Sequence, residues 1–135
     1  MPPAARVLWS DMLWLCRSDP GWLEFGSGVW ILFWGLLLAM PFNTFEVSPT
    51  YLFMARIASE ETWGAIFAVV GSVQVVAVIA RRSAPMWLAA LASASLWAIM
   101  ANMFWISNPW AFSPWWTTSM CALMSYCAWY RIRNG

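Results

Sequence analysis

Chemistry needs nucleophiles, general bases or metal ligands at useful spacings, and this sequence offers few of them. It contains no histidine, so the commonest general base and the usual nitrogen ligand of zinc and haem are both missing. The three cysteines are Cys16, Cys121 and Cys127. Cys121 and Cys127 are six positions apart, which puts them on different faces of one helix, where they cannot pair. All three are read as free thiols. The seven basic residues are all arginine and are scattered, so no patch is dense enough to hold a nucleic acid. No catalytic residue, metal site or cofactor site is expected, and no enzymatic activity.

The side chains left with a capacity for function are polar but uncharged, and they sit inside apolar runs: Gln74, Ser93, Asn102, Thr117, Thr118 and Ser119. A buried amide needs partners. The short Arg81-Arg82-Ser83 turn sets Gln74 level with residues 90–93 of the next helix, so Ser93 is its expected partner; such contacts contribute about 0.6 kcal/mol on average in a bilayer. Serine and threonine commonly bond the carbonyls of their own helix. A polar fourth helix could instead line water in an oligomer. Glu24 is the only acid near the arginine-rich end of an apolar run. It is expected to be ionised and paired with a local arginine, within reach of lipid headgroups. A proton-coupled exporter needs an acid deeper in the membrane.

The elements that must carry these residues follow from composition. The chain of 135 residues is 62% hydrophobic and only 10% charged, against about 25% charged in soluble domains. Its 13 tryptophans suit a membrane interface. The expected fold is all-α: a single integral membrane bundle of four transmembrane helices at 20–40, 60–80, 84–106 and 109–130. Residues 4–17 and 49–58 are expected to form amphipathic helices lying in the interface. In the first, Leu8, Trp9, Met12, Leu15 and Cys16 share one arc; in the second, Tyr51, Met54, Ala55, Ile57 and Ala58 oppose Arg56. Asp19-Pro20, Ser48-Pro49, Ser83 with Pro85, and Asn108-Pro109 read as capped helix starts, and Ser59 caps the second span ahead of Glu60 and Glu61. Pro114 is expected to kink the fourth span, or else to start it behind Ser113. A cleaved signal peptide is not expected.

Small residues recur at contact spacing: Gly28 and Gly35; Gly64, Ala68 and Ser72, with Gly71; and Ala90, Ala94 and Ala98. In lipid such stripes let backbones approach closely, within one bundle or between copies. Arg6, Arg17, Arg81, Arg82, Arg131 and Arg133 all fall on one side of a four-span topology, and only Arg56 falls on the other. This excess places the N- and C-termini in the cytoplasm of a multi-pass protein of a bacterial or host inner membrane. Trp22, Trp87, Tyr126, Trp129 and Tyr130 then lie near the inner face, and Trp63, Trp105 and Trp110 near the outer.

The stretch Ser48-Pro49-Thr50-Tyr51 through Glu61-Thr62-Trp63-Gly64, followed by Gly71 and Gln74, resembles small four-span membrane proteins of bacteriophages and prophages, some of them holin-like. The resemblance covers the middle third of the chain and implies a phage or bacterial inner-membrane protein. The expected role is that of an accessory or assembly protein without catalysis. Its partners would be the lipid bilayer and a second copy or another membrane protein. The alternatives are a holin-like protein that opens oligomeric lesions and a small four-helix transporter.

Overall fold

The computed structural model describes residues 20–80 and 83–134. The expected helix at 4–17, Cys16, the Asp19 cap and the topology residues Arg6, Arg17, Arg81 and Arg82 lie outside the described residues, as does the side chain of Ser83. The chain is all-α, with no strand among the described residues. The elements are α1 (Gly21–Ala39), α2 (Thr44–Val47), a 3-10 turn (Pro49–Tyr51), α3 (Leu52–Ile57), α4 (Glu60–Ala80), α5 (Ser83–Ser107) and α6 (Phe112–Asn134). The helices α1, α4 and α5 are long and apolar enough to cross a membrane. Helix α6 is as long, at 23 residues, but is less apolar and falls outside that set.

The four long helices form a bundle. We call the end bearing α2, α3 and the α5–α6 connection the loop end, and the end bearing Pro20, Ala80 and Asn134 the terminal end. Packing is closest within two pairs, α1 with α4 and α5 with α6. The α1–α4 seam is built on glycine. A Cβ added at Gly35 would lie 2.5 Å from the Ala68 backbone nitrogen, and one at Gly71 would lie 2.5 Å from that of Leu32. Gly28 and Gly64 face the same seam. The close approach on α4 runs through Gly64, Ala68 and Gly71, and Ser72 beside them is half-buried. The four-then-three spacing keeps these residues on one face of a 3.6-residue helix. On α5, Ala90 and Ala94 are buried and Ala98 is half-buried.

Three expectations about boundaries and faces are corrected. The fourth long helix starts at Phe112, not at Pro109. The Asn108 N–H closes α5 onto the Phe104 carbonyl at 2.8 Å, and the Ala111 N–H turns back to the Asn108 carbonyl at 3.2 Å. Pro114 is thus the third residue of α6. The first four N–H groups of a helix have no partner within it, so proline removes no bond there and neither kinks nor begins the helix. Second, the 49–58 segment starts as expected, with the Ser48 hydroxyl accepting from the Thr50 N–H at 3.4 Å, but its inward face differs. Thr50 and Met54 are buried against the bundle, while Ala55 and Ile57 point outward. Third, Trp63 does not turn its ring to the outside of the bundle. It is buried, and its indole N–H donates to the Met54 carbonyl at 3.1 Å.

Candidate functional site

Polar and aromatic side chains fill the interior in three layers from the terminal end to the loop end. At the terminal end, Glu24 lies in the first turn of α1 and Arg131 near the end of α6. Each charge suits the dipole of its own helix end. The Arg131 Nη2 donates to Glu24 Oε2 at 2.9 Å, and its Nε lies 3.3 Å from both carboxylate oxygens. Glu24 is 1% exposed and the arginine side chain 20%. Glu24 is therefore inside the bundle, and its partner is 107 residues away in sequence, not a near neighbour in the chain. The pair joins the first long helix to the last. Arg133 lies beyond it, its guanidinium 5.3 Å from the Trp129 ring centroid, a cation–π distance.

In the middle layer, the Ser93 hydroxyl donates to the Gln74 Oε1, and the Gln74 Nε2 donates to the Met124 Sδ at 3.4 Å. All three residues are buried. The contact links α4, α5 and α6. Nearby, the Trp97 indole N–H crosses from α5 to the Ser27 hydroxyl on α1 at 3.0 Å. No buried side-chain nitrogen or oxygen among the described residues lacks a partner. The outward-facing polar chains return their hydrogens to their own helices: Asn102 to the Ala98 carbonyl, Ser95 to Leu91, Thr118 to Pro114 and Ser119 to Trp115, at 2.7–2.9 Å. Thr117 is buried and bonds the Ser113 and Pro114 carbonyls.

The third layer, toward the loop end, is a cavity of about 220 Å³. Its floor is made by Phe67, Trp97, Met100 and Phe104, all buried. Its rim is made by Trp30, Phe112 and Trp116, which are exposed. Trp34, Tyr51, Ser113 and Thr117 complete the wall. Tyr51 stacks on Phe45 at 5.5 Å and meets Phe104 edge-on at the same distance. The loop that carries Tyr51 is fastened at several points. The Glu60 carboxylate accepts the Thr44 N–H at 2.9 Å and the Phe45 N–H at 3.4 Å, and the Phe53 N–H donates to the Ser107 hydroxyl at 3.2 Å. Burial, with the negative charge of Glu60 adding to it, pushes the Tyr51 phenol up to about 12, so it stays a neutral donor.

Of the residues singled out from sequence, Gln74 and Ser93 come together, Arg131 meets Glu24, and Gly28, Gly35, Gly64, Ala68 and Gly71 share a seam. Asn102, Thr118 and Ser119 lie apart from these on the bundle surface. The cavity was not expected from the sequence. Its signal was present as aromatics four apart on one face, Trp30 with Trp34 and Phe112 with Trp116. No family model, curated protein or solved structure matches this chain.

Proposed function

We propose that this chain is a small four-span protein of a bacterial inner membrane, with both termini in the cytoplasm, that serves as an accessory or assembly protein and performs no chemistry of its own. Helix α6 crosses beside α5. Its hydroxyls return to helix carbonyls, which lowers their cost in hydrocarbon, and its arginines are confined to its last turn. The arginine excess favours the cytoplasm for the terminal end, and α2 and α3 lie in the opposite interface.

The observation that carries this reading is that one copy already uses its own adhesive features. The α1–α4 glycines face each other within the chain, and the Gln74 amide is bonded to Ser93 and Met124. A lesion-forming oligomer would need such groups on its outside, and an exporter would need an unpaired acid at depth. The test is inducible expression in a bacterium with a potential-sensitive dye, together with fluorescent-protein and alkaline-phosphatase fusions after Asn134 and after Trp110. The expected result is a steady potential, fluorescence from the first position and phosphatase activity from the second. Sudden depolarisation, followed by lysis when an endolysin is present, would overturn the accessory role. Phosphatase activity at Asn134 would overturn the topology.

A further inference from the structure

We propose that the loop-end cavity is a binding site for a flat, uncharged aromatic molecule bearing a hydrogen-bond acceptor, which enters sideways from the hydrocarbon between α1 and α6. The lateral entry rests on the four-span reading above; the cavity itself does not. Its volume, about 220 Å³, exceeds the roughly 150 Å³ apolar cavity that stays dry and takes up benzene. A fused two-ring system is therefore the natural size. Eight of its eleven lining residues are aromatic, and ring faces and edges favour another ring in offset or edge-on contact. No charged residue lines it, which excludes ions.

The open side is defined by exposure. Trp30 is 42% exposed and Trp116 39%, whereas Phe67 and Trp97 on the floor are 1% exposed. The Trp30 and Trp116 ring centroids lie 6.1 Å apart at the rim, in contact, so entry between α1 and α6 requires one of these exposed rings to turn aside. A floor closed by Trp97, whose indole is held by Ser27, makes a blind pocket and not a continuous groove for an acyl chain. The wall also carries hydrogen-bond donors without partners. The Tyr51 hydroxyl and the indole N–H groups of Trp30, Trp34 and Trp116 make no hydrogen bond to any described residue. The Trp97 and Trp63 indoles, by contrast, are both bonded. A ligand with a carbonyl or ether oxygen would complement such donors.

The test uses the full chain in mild detergent and 2-acetonaphthone, a naphthalene ring with one carbonyl, as the probe. The expected result is saturable quenching of tryptophan fluorescence at one probe per chain, with a raised Tm. Naphthalene, which lacks the acceptor, should bind several-fold more weakly. Ser113→Phe, which fills the cavity from α6, should weaken binding at least tenfold while the protein keeps its unliganded Tm within a few degrees. If that variant does not fold, Trp116→Leu, which removes a rim ring, replaces it with the same expectation. Non-saturable quenching equal in wild type and variant would overturn the proposal. So would an equal rise in Tm with dodecane, which would mark a chain site instead. Failure here with correct fusion topology would sink the ligand site alone. Saturable binding with inverted topology would sink the four-span orientation alone.

Discussion

The α1–α4 seam can be tested by adding one carbon. Gly71→Ala would put a Cβ 2.5 Å from the Leu32 nitrogen and 2.7 Å from the Gly28 carbonyl oxygen. Both neighbours are backbone, so no rotamer change relieves them. Ordinary contact for such atoms is about 3.5 Å, and the helices must part by about 1 Å to restore it; a gap of that size forfeits a quarter to a half of the dispersion energy of each contact along the seam. Overpacking of this kind costs about 1–3 kcal/mol, and the upper half of that range is expected because the obstruction cannot turn aside. Gly35→Ala should behave alike, its Cβ meeting the Ala68 nitrogen at 2.5 Å. The double variant should cost less than the sum, because one separation relieves both sites. Gly26→Ala is the control. Nothing lies within 4 Å of its added carbon, so it should gain up to about 1 kcal/mol from helix propensity. The assay is unfolding of the purified protein in mixed micelles by added dodecyl sulfate, followed by tryptophan fluorescence. Gly71→Ala within about 0.5 kcal/mol of wild type, the scatter of a neutral surface change, would refute the close approach. So would a Gly26→Ala as damaging as Gly71→Ala.

The same unfolding assay reaches the other layers. Glu24→Leu or Arg131→Leu should each cost about 3 kcal/mol by removing one partner of an ion pair inside the bundle, the lower end of the range because Arg131 keeps some exposure; the double variant should cost less than the sum, and additive losses would refute the pairing. Gln74→Leu should cost about 1 kcal/mol, and adding Ser93→Ala to it should cost little more, because the two side chains form one contact. Stability should fall as pH rises from about 10 to about 12, since the Tyr51 phenol holds its proton in the folded state to about 12 and loses it near its ordinary value of 10.0 when unfolded. Tyr51→Phe should remove that part of the pH dependence, and an unchanged slope would show that the phenol is not buried as described.

What was legible in the sequence was legible for local reasons. Apolar runs bounded by proline and capping residues give the long helices, and α4 spans the expected 60–80. Helix α4 ends at Ala80 and α5 begins at Ser83, and Gln74 meets Ser93 between them as that short spacing predicts. Features that depend on how the two helix pairs dock were not legible. Spacing identifies the glycine stripes but not the helix opposite. Trp63 has the composition and place of an interface residue, yet a loop carbonyl captures its indole. Glu24 and Arg131 lie near opposite ends of the chain, and only an antiparallel closure of α1 beside α6 lets them meet.

The two helix pairs are held together unequally along their length, and this bears on where any ligand or partner acts. Within the α1–α4 pair, backbone lies on backbone, and no small displacement is open to it. Between the pairs, the terminal end is joined by a largely buried ion pair, and the middle by hydrogen bonds from Gln74 and Trp97. The loop end has no ion pair among the described residues, and its hydrogen bond between the halves, from the Phe53 N–H to the Ser107 hydroxyl, comes from the α3 segment and not from α1 or α4. There α1 and α6 meet through ring contacts around a cavity, and parting them breaks no ion pair. Separation of the pairs should therefore hinge at the terminal end and open at the loop end. The cavity lies where that movement is easiest. A molecule bound in the cavity behind Trp30 and Trp116 would tie the pairs together and stiffen the whole bundle, whereas one bound near Arg131 would meet a junction that is already closed.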